Sequence, residues 1–193
     1  MITNSIVNIK VMKFEKYFKN YNQSIYDLLI DLDTSLIDRS VELILKCKRN
    51  KGEVYIVGNG GSSSIASHVS VDFTKVANVP SNTFNNANLI TCFANDYGHE
   101  NWIKEAIKAY TQKNDILILI SSSGNSNNII NAAKYCNENN IPLITFSGFD
   151  KENNLAKLGD INIHINSNNY NYIEMSHHII LVSIVDIFKE NLI

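Results

Sequence analysis

The chain has 193 residues, enough for one domain with a sizeable core, and 17 Lys and Arg against 19 Asp and Glu give a formal net charge of −2. The sequence has no dense basic stretch, which argues against nucleic-acid binding. It also has no run of about 18 apolar residues, so no membrane span is predicted. Three widely spaced cysteines without a CxxC pair, and no apolar signal segment in residues 1–19, favour a reduced cytoplasmic setting.

Two helices are predicted first, because apolar residues recur at helical spacing within 14–28 and 36–45. After these two helices, strands and helices alternate along the chain, apart from a polar connection at 80–88. Strands are predicted at 53–57, 89–94, 116–120, 143–147 and 161–165, and helices at 62–76, 100–110, 125–139, 151–158 and 170–190. The alternation predicts a single α/β domain over 1–193, in which the N-terminal helical pair (1–50) precedes a doubly wound five-stranded parallel sheet (51–193) with helices on both faces.

Two of the strand-to-helix junctions carry nearly the same polar loop. The first loop reads Gly58-Asn59-Gly60-Gly61-Ser62, and the second places four serines within Ser121-Ser122-Ser123-Gly124-Asn125-Ser126. A helix start offers free backbone N–H groups and a positive dipole end, and serine hydroxyls add donors. Since ligands of such sheets bind beyond the carboxyl ends of the strands, the two loops predict a phosphorylated ligand between them.

The alternative for each loop is a plain tight turn in which a serine such as Ser62 caps the helix. The first loop matches neither the GxGxxG spacing of dinucleotide sites nor GxxxxGK[ST], because the lysine is missing. A nucleotide is therefore not the expected ligand. Neither loop contains Lys or Arg. Serine hydroxyls, backbone N–H groups and the positive end of the helix dipole are therefore expected to bind the phosphate.

These two loops, with Ala94-Asn95-Asp96-Tyr97-Gly98 between them, resemble the sugar isomerase (SIS) domain over nearly the whole chain, and among its members the phosphoheptose isomerases most closely. The resemblance implies a homotetramer with active sites at subunit contacts. It assigns the phosphate to Ser121, Ser122, Ser123 and Ser126. It assigns the sugar to Asn59, Gly60, Gly61, Asn95 and Asp96, and Ser62 completes the set of predicted substrate-binding residues.

The resemblance also implies a catalytic and metal-binding pair at His68 and Asp72, which the i, i+4 spacing places on one helical face. Asp72 stands where the family has Glu, and Ile173 and Leu181 stand where the family's C-terminal helix has a Gln and a His. A shifted alignment instead pairs Asn169 with His177. Zinc normally needs three or four protein ligands, so His68 and Asp72 form an incomplete site. We therefore assign no cofactor from the sequence, and zinc is the alternative.

Glu174, His177 and His178 are further candidates for acid/base catalysis. Glu174 precedes the two histidines by three and four residues, so all three can share one helical sector, and a carboxylate that orients an imidazole suits proton transfer. The alternative is that the histidines pack in an interface or face solvent. The expected catalytic set is therefore Asp72 and Glu174 with a histidine from His68, His177 or His178.

The resulting functional prediction is an aldose–ketose isomerase of a sugar phosphate, most similar to a sedoheptulose 7-phosphate isomerase that serves surface-polysaccharide heptose synthesis. Two alternatives stay open: a non-catalytic phosphosugar-binding regulator, and an isomerase of another sugar phosphate. The helix at 170–190 is apolar on most sides and must be buried, so a homotetramer built on helices is expected, with neither nucleic acid nor membrane as a partner.

Overall fold

The computed structural model describes residues 14–190. Of residues 1–19, in which no signal segment is expected, residues 1–13 lie outside that range. The helices are α1 (Phe14–Ile30), α2 (Ser35–Arg49), α3 (Gly61–Lys75), α4 (Ala87–Tyr97), α5 (Trp102–Tyr110), α6 (Asn127–Glu138) and α7 (Tyr170–Lys189). The strands are β1 (Val54–Gly58), β2 (Ser81–Asn82), β3 (Ile116–Ser121), β4 (Leu143–Gly148) and β5 (Ile161–Ile165).

The five strands form one parallel sheet in the order β2-β1-β3-β4-β5. The predicted five-stranded parallel sheet is thereby confirmed. From β1 the chain first moves outward to β2 and then returns past β1 to β3, so the strand order reverses between β1 and β3. Crevices at such reversals are the usual ligand sites of open α/β sheets.

The sheet separates two hydrophobic layers because successive side chains of a strand point to opposite faces. Ile118 contacts the layer formed with α2, α3 and α7, and its neighbours Leu117 and Leu119 contact the layer formed with α4, α5 and α6. Every residue of β1, β3 and β4 is buried, as expected for strands covered on both faces. The described residues include no helix long and apolar enough to cross a membrane.

Two predicted elements were wrong, and the second strand of the sheet was missed. Residues 89–94, predicted as a strand, lie inside α4, where the Asn86 side chain accepts a hydrogen bond from the Leu89 N–H and caps the helix. A six-residue apolar run fits a buried helix as well as a strand. The second strand is β2, within the segment predicted as a polar connection. Residues 151–158, predicted as a helix, form consecutive turns.

Candidate phosphosugar site

The first and second loops face each other across one open cavity of about 260 Å³ at the carboxyl ends of β1 and β3. The cavity is lined by Asn59, Gly60, Gly61, Ser62, Ile120, Ser121, Ser122, Ser123, Ser126, Tyr170 and Glu174. All the residues predicted in the two loops to bind substrate are therefore brought together. The same two junctions begin α3 and α6, so two helix N-termini converge on this space.

The serine loop is folded so that one hydroxyl remains free for a ligand. A turn closes between the Gly124 N–H and the Ser121 carbonyl at 2.9 Å, and the Ser121 hydroxyl donates to Ser126 Oγ at 3.3 Å. The Ser122 hydroxyl is buried and has no hydrogen-bond partner within residues 14–190. Buried polar groups are normally paired, so this hydroxyl is suited to donate to an anion in the cavity.

Two glycines permit the close approaches that shape the cavity. A side chain at Gly61 would overlap the Glu174 carboxylate, so α7 can place that group directly at the start of α3. Gly124 has a φ of +64°, which favours glycine, and lies tightly against Asn153. The absence of a Cβ at position 61 therefore allows a carboxylate into the lining of the cavity.

Glu174 is the only carboxylate in that lining among the described residues. Partial burial raises the pKa of the Glu174 carboxyl above its usual value. Gly61, the first residue of α3, lies against it, and the sequence places no Lys or Arg in either loop. A carboxylate with a raised pKa next to an anion site is suited to accept a proton from a bound phosphorylated molecule.

A second polar cluster joins α3 to α7. His68 Nε2 lies 3.1 Å from Asp72 Oδ2, and His68 Nδ1 lies 2.8 Å from His178 Nε2. A carboxylate only accepts, so a neutral His68 donates from Nε2 to Asp72 and accepts at Nδ1 from His178. Burial lowers the pKa of His178, a protonated His68 would lower it further, and Asp72 opposes this shift.

The residues present do not fit a zinc centre of the kind implied by the resemblance. Asp72 and His178 contact opposite nitrogens of the His68 ring, so the three side chains do not converge on one point. Ile173 and Leu181 are fully buried apolar residues without ligand atoms. Among residues 14–190, no group of three or more His, Cys, Asp or Glu side chains is arranged to hold a metal.

His177 does not share the helical sector of Glu174 and His178. Its side chain is fully buried, its ring packs against Phe146, and its Nε2 lies 3.0 Å from the Ser147 carbonyl oxygen. Nε2 therefore donates, since a carbonyl only accepts. The expectation that Glu174 and both histidines point the same way is wrong, because positions 177 and 178 on a helix are about 100° apart.

Asn95 and Asp96 lie apart from the cavity. Both are exposed on α4, where Asn95 Nδ2 donates to Asp96 Oδ1 at 2.9 Å. Tyr170 and Ile120 also line the cavity, although neither is among the predicted site residues. Tyr170 is the first residue of α7, and an aromatic residue at a helix start carries no signal that separates a ligand contact from packing.

Residues 16–148 match the family model described as the SIS domain. The chain belongs to the SIS domain family. It is 32% identical over 136 residues to the phosphoheptose isomerase of Neisseria gonorrhoeae, which covers 66% of this chain and 68% of that protein. It is 29% identical over 164 residues to the Helicobacter hepaticus phosphoheptose isomerase, with coverage of 81% and 82%.

Solved structures of phosphoheptose isomerases share the fold. The structure from Neisseria gonorrhoeae superimposes with a TM-score of 0.82 at 25% identity, covering 91% of this chain and 97% of that one. The structure from Francisella tularensis gives a TM-score of 0.81 at 25% identity, with coverage of 92% and 97%.

The burial of His177 predicts a loss of stability in acid. Burial lowers the pKa of His177 from 6.5 to about 4, so the unfolded state binds a proton first as the pH falls. The free energy of unfolding should therefore fall as the pH is lowered from 6.5 to 4. His177 alone should account for about 3 kcal/mol of this fall. Urea unfolding across this range should show a shallower decline for His177→Gln than for the wild type. Equal declines would contradict the assignment.

Proposed function

We propose that the protein is an aldose–ketose isomerase of a sugar phosphate, with sedoheptulose 7-phosphate as its substrate. The observation that carries this proposal is the single cavity in which a serine loop, two helix N-termini and the Glu174 carboxylate meet. The relatives named phosphoheptose isomerase support the choice of a seven-carbon substrate. We further propose that the chain is one SIS unit that acts in the cytoplasm and serves surface-polysaccharide synthesis.

The phosphate is placed in the second loop, where Ser121, Ser122, Ser123 and Ser126 supply hydroxyls and α6 supplies its positive end. The sugar then extends toward the first loop, where Asn59 and the N–H groups that begin α3 meet its hydroxyls. This orientation needs no cationic side chain. It leaves C1 and C2 on the side of the cavity to which α7 contributes.

Aldose–ketose isomerisation moves a proton between C1 and C2 through an enediol, and it needs a base and a group that stabilises the developing oxyanion. Glu174 is the proposed base, because its carboxylate is in the cavity and its pKa is raised. The backbone N–H groups at the start of α3 are the proposed oxyanion donors. The proposal gives no step to a metal, since Ile173 and Leu181 carry no ligand atoms.

The hydrogen-bonded cluster of Asp72, His68 and His178 lies farther along the faces of α3 and α7 that carry Gly61 and Glu174. Glu174 and His178 are four residues apart on α7, and Gly61, His68 and Asp72 share one face of α3. None of the three side chains lines the cavity of this chain. We assign them to proton exchange between Glu174 and solvent.

A second candidate function is a phosphosugar-binding regulator. The apolar Ile173 and Leu181, at positions where the resemblance expects a Gln and a His, favour it. Such a protein would keep the serine loop and the cavity but move no proton. The isomerase remains the better supported function, because Glu174 is present in the cavity with a raised pKa.

We further propose a homotetramer in which a neighbouring copy completes the site. Large apolar side chains are exposed on α1, at Phe14, Phe18 and Ile30, and on α7, at Met175 and Ile179. Phe14 and Phe18 stack on each other and α1 packs against α7, so these side chains offer apolar surface that a second copy can cover. Asn95 and Asp96, predicted to bind the sugar, lie outside the cavity of their own chain and are available to a partner's cavity.

The first experiment follows deuterium incorporation by NMR in deuterated water, at C1 of sedoheptulose 7-phosphate and at C2 of the aldose product. The wild type should incorporate deuterium, and Glu174→Gln should lose at least about 100-fold in rate while it still binds the sugar phosphate, because only the base is removed. Glu138→Gln, on exposed surface of α6, is the matched control. Binding without exchange in the wild type would favour the regulator.

The second experiment tests the phosphate position through Ser122→Ala. A hydrogen bond to a charged group contributes about 1.5–3 kcal/mol, so the affinity for the sugar phosphate should fall about 10- to 100-fold in calorimetry. The melting temperature should hardly change, because the hydroxyl has no partner among residues 14–190. Ser183→Ala, at an exposed position of α7, should leave the affinity unchanged. Unaltered affinity in Ser122→Ala would exclude this phosphate position.

The third experiment measures the mass in solution by light scattering. A homotetramer has four times the chain mass of 21.8 kDa, about 87 kDa. Phe18→Asp, which puts a charge on the exposed apolar face of α1, should lower the mass, and Asn22→Asp adds the same charge on the same helix without removing an apolar group. A wild-type mass of 21.8 kDa at assay concentration would contradict the assembly.

A further inference from the structure

We propose that Asn128 is a positioning residue that holds the two substrate loops in register through a reciprocal amide pair with Asn59. Asn128 does not line the cavity, whereas Asn59 does. The inference rests on the proposed function, since it concerns how the same cavity presents Asn59 to the sugar. Asn128 would act on the substrate only through Asn59.

The pair joins residues 69 positions apart in the sequence. Asn59 Nδ2 donates to Asn128 Oδ1 at 2.9 Å, and Asn128 Nδ2 donates to Asn59 Oδ1 at 2.9 Å. Asn128 is 2% exposed, so water does not compete for these bonds. Asn59 belongs to the loop after β1 and Asn128 to the first turn of α6, directly after the serine loop. The pair therefore connects the two loops that the proposed function uses.

A third hydrogen bond fixes the orientation of both amides. The Ile129 N–H donates to Asn128 Oδ1 at 3.0 Å, and an N–H requires an acceptor, so the oxygen of Asn128 must be on that side. The orientation of Asn59 follows, because only a donor can face Asn128 Oδ1 and only an acceptor can face Asn128 Nδ2. A 180° flip of either amide would place two donors or two acceptors against each other.

The fixed orientation leaves Asn59 with one amide hydrogen and one carbonyl lone pair in defined places. A sugar hydroxyl in the cavity then meets a donor and an acceptor whose positions do not exchange. The pair also holds the first loop, which is proposed to bind the sugar, at a fixed distance from the serine loop, which is proposed to bind the phosphate. Displacement of a positioning group by about 1 Å can cost about 100-fold in rate, so loss of the pair should reduce turnover more than phosphate binding.

A purely local role for Asn128 is the competing explanation. The bond from the Ile129 N–H supports the first turn of α6, and that turn carries the serine loop. If Asn128 served only this turn, its removal would weaken the binding of inorganic phosphate and of the sugar phosphate by the same factor. It would do so whether or not Asn59 is present.

A double-mutant cycle separates the two explanations. Asn128→Ala, Asn59→Ala and the double variant are compared, with Asn127→Ala in the same turn as the control. Asn128→Ser is a second variant that keeps an oxygen near the Ile129 N–H but is too short to reach Asn59. The readouts are kcat/KM and the Kd for sedoheptulose 7-phosphate, the Kd for inorganic phosphate and the melting temperature.

Asn128→Ala and Asn128→Ser should each lower kcat/KM about 10- to 100-fold and change the Kd for inorganic phosphate by less than about threefold. In the Asn59→Ala background, Asn128→Ala should change kcat/KM by less than about threefold, and the effects on melting temperature should likewise be non-additive. Equal effects of Asn128→Ala in both backgrounds, or equal losses for inorganic phosphate and the sugar phosphate, would overturn the inference.

Failure of the isomerase proposal is recognised separately. If the wild type binds the sugar phosphate without deuterium exchange, the isomerase function is wrong. The double-mutant cycle of Asn59 and Asn128 is then evaluated from the Kd for the sugar phosphate. Coupling in that Kd supports the positioning role, and additivity overturns it. A wild type that binds no sugar phosphate overturns both.

Discussion

The whole site depends on the convergence of two helix N-termini at the carboxyl edge of one parallel sheet. β1 and β3 are adjacent and in register from Val54 and Ile116 onward, so the loops that follow them end at the same level. The helices that begin there direct their partial positive charges into one cavity. The cavity can therefore attract an anion although the residues described as its lining include no Lys or Arg.

The contact between α3 and α7 differs from what the resemblance to the phosphoheptose isomerases implies. Helix α7 keeps a carboxylate in the cavity at Glu174 but has Ile173 and Leu181 in the core, where ligand atoms were expected. His178 instead contacts His68, which in turn contacts Asp72. The result is a hydrogen-bonded chain of proton-carrying groups beside the cavity.

Much of this arrangement could be predicted from the sequence, because it depends on local patterns. The buried strands of β1 and β3 and the loops that follow them have unmistakable signals, namely a continuous apolar run that ends at Gly, Asn and Ser. The edge strand β2 has only two residues and no apolar signal. The Asn59–Asn128 pair depends on tertiary packing, and so does the choice of which of the two histidines, His177 or His178, enters the core, and spacing along the chain reveals neither.

The central claim is that both loops bind one sugar phosphate through backbone N–H groups and hydroxyls. The most direct measurement is a crystal structure of the protein with sedoheptulose 7-phosphate. The account predicts the phosphate within hydrogen-bond distance of the Ser122 hydroxyl and the sugar beside Asn59, with C1 and C2 near the Glu174 carboxylate. A phosphate bound outside the cavity between the two loops, or one held mainly by lysine or arginine side chains, would contradict it.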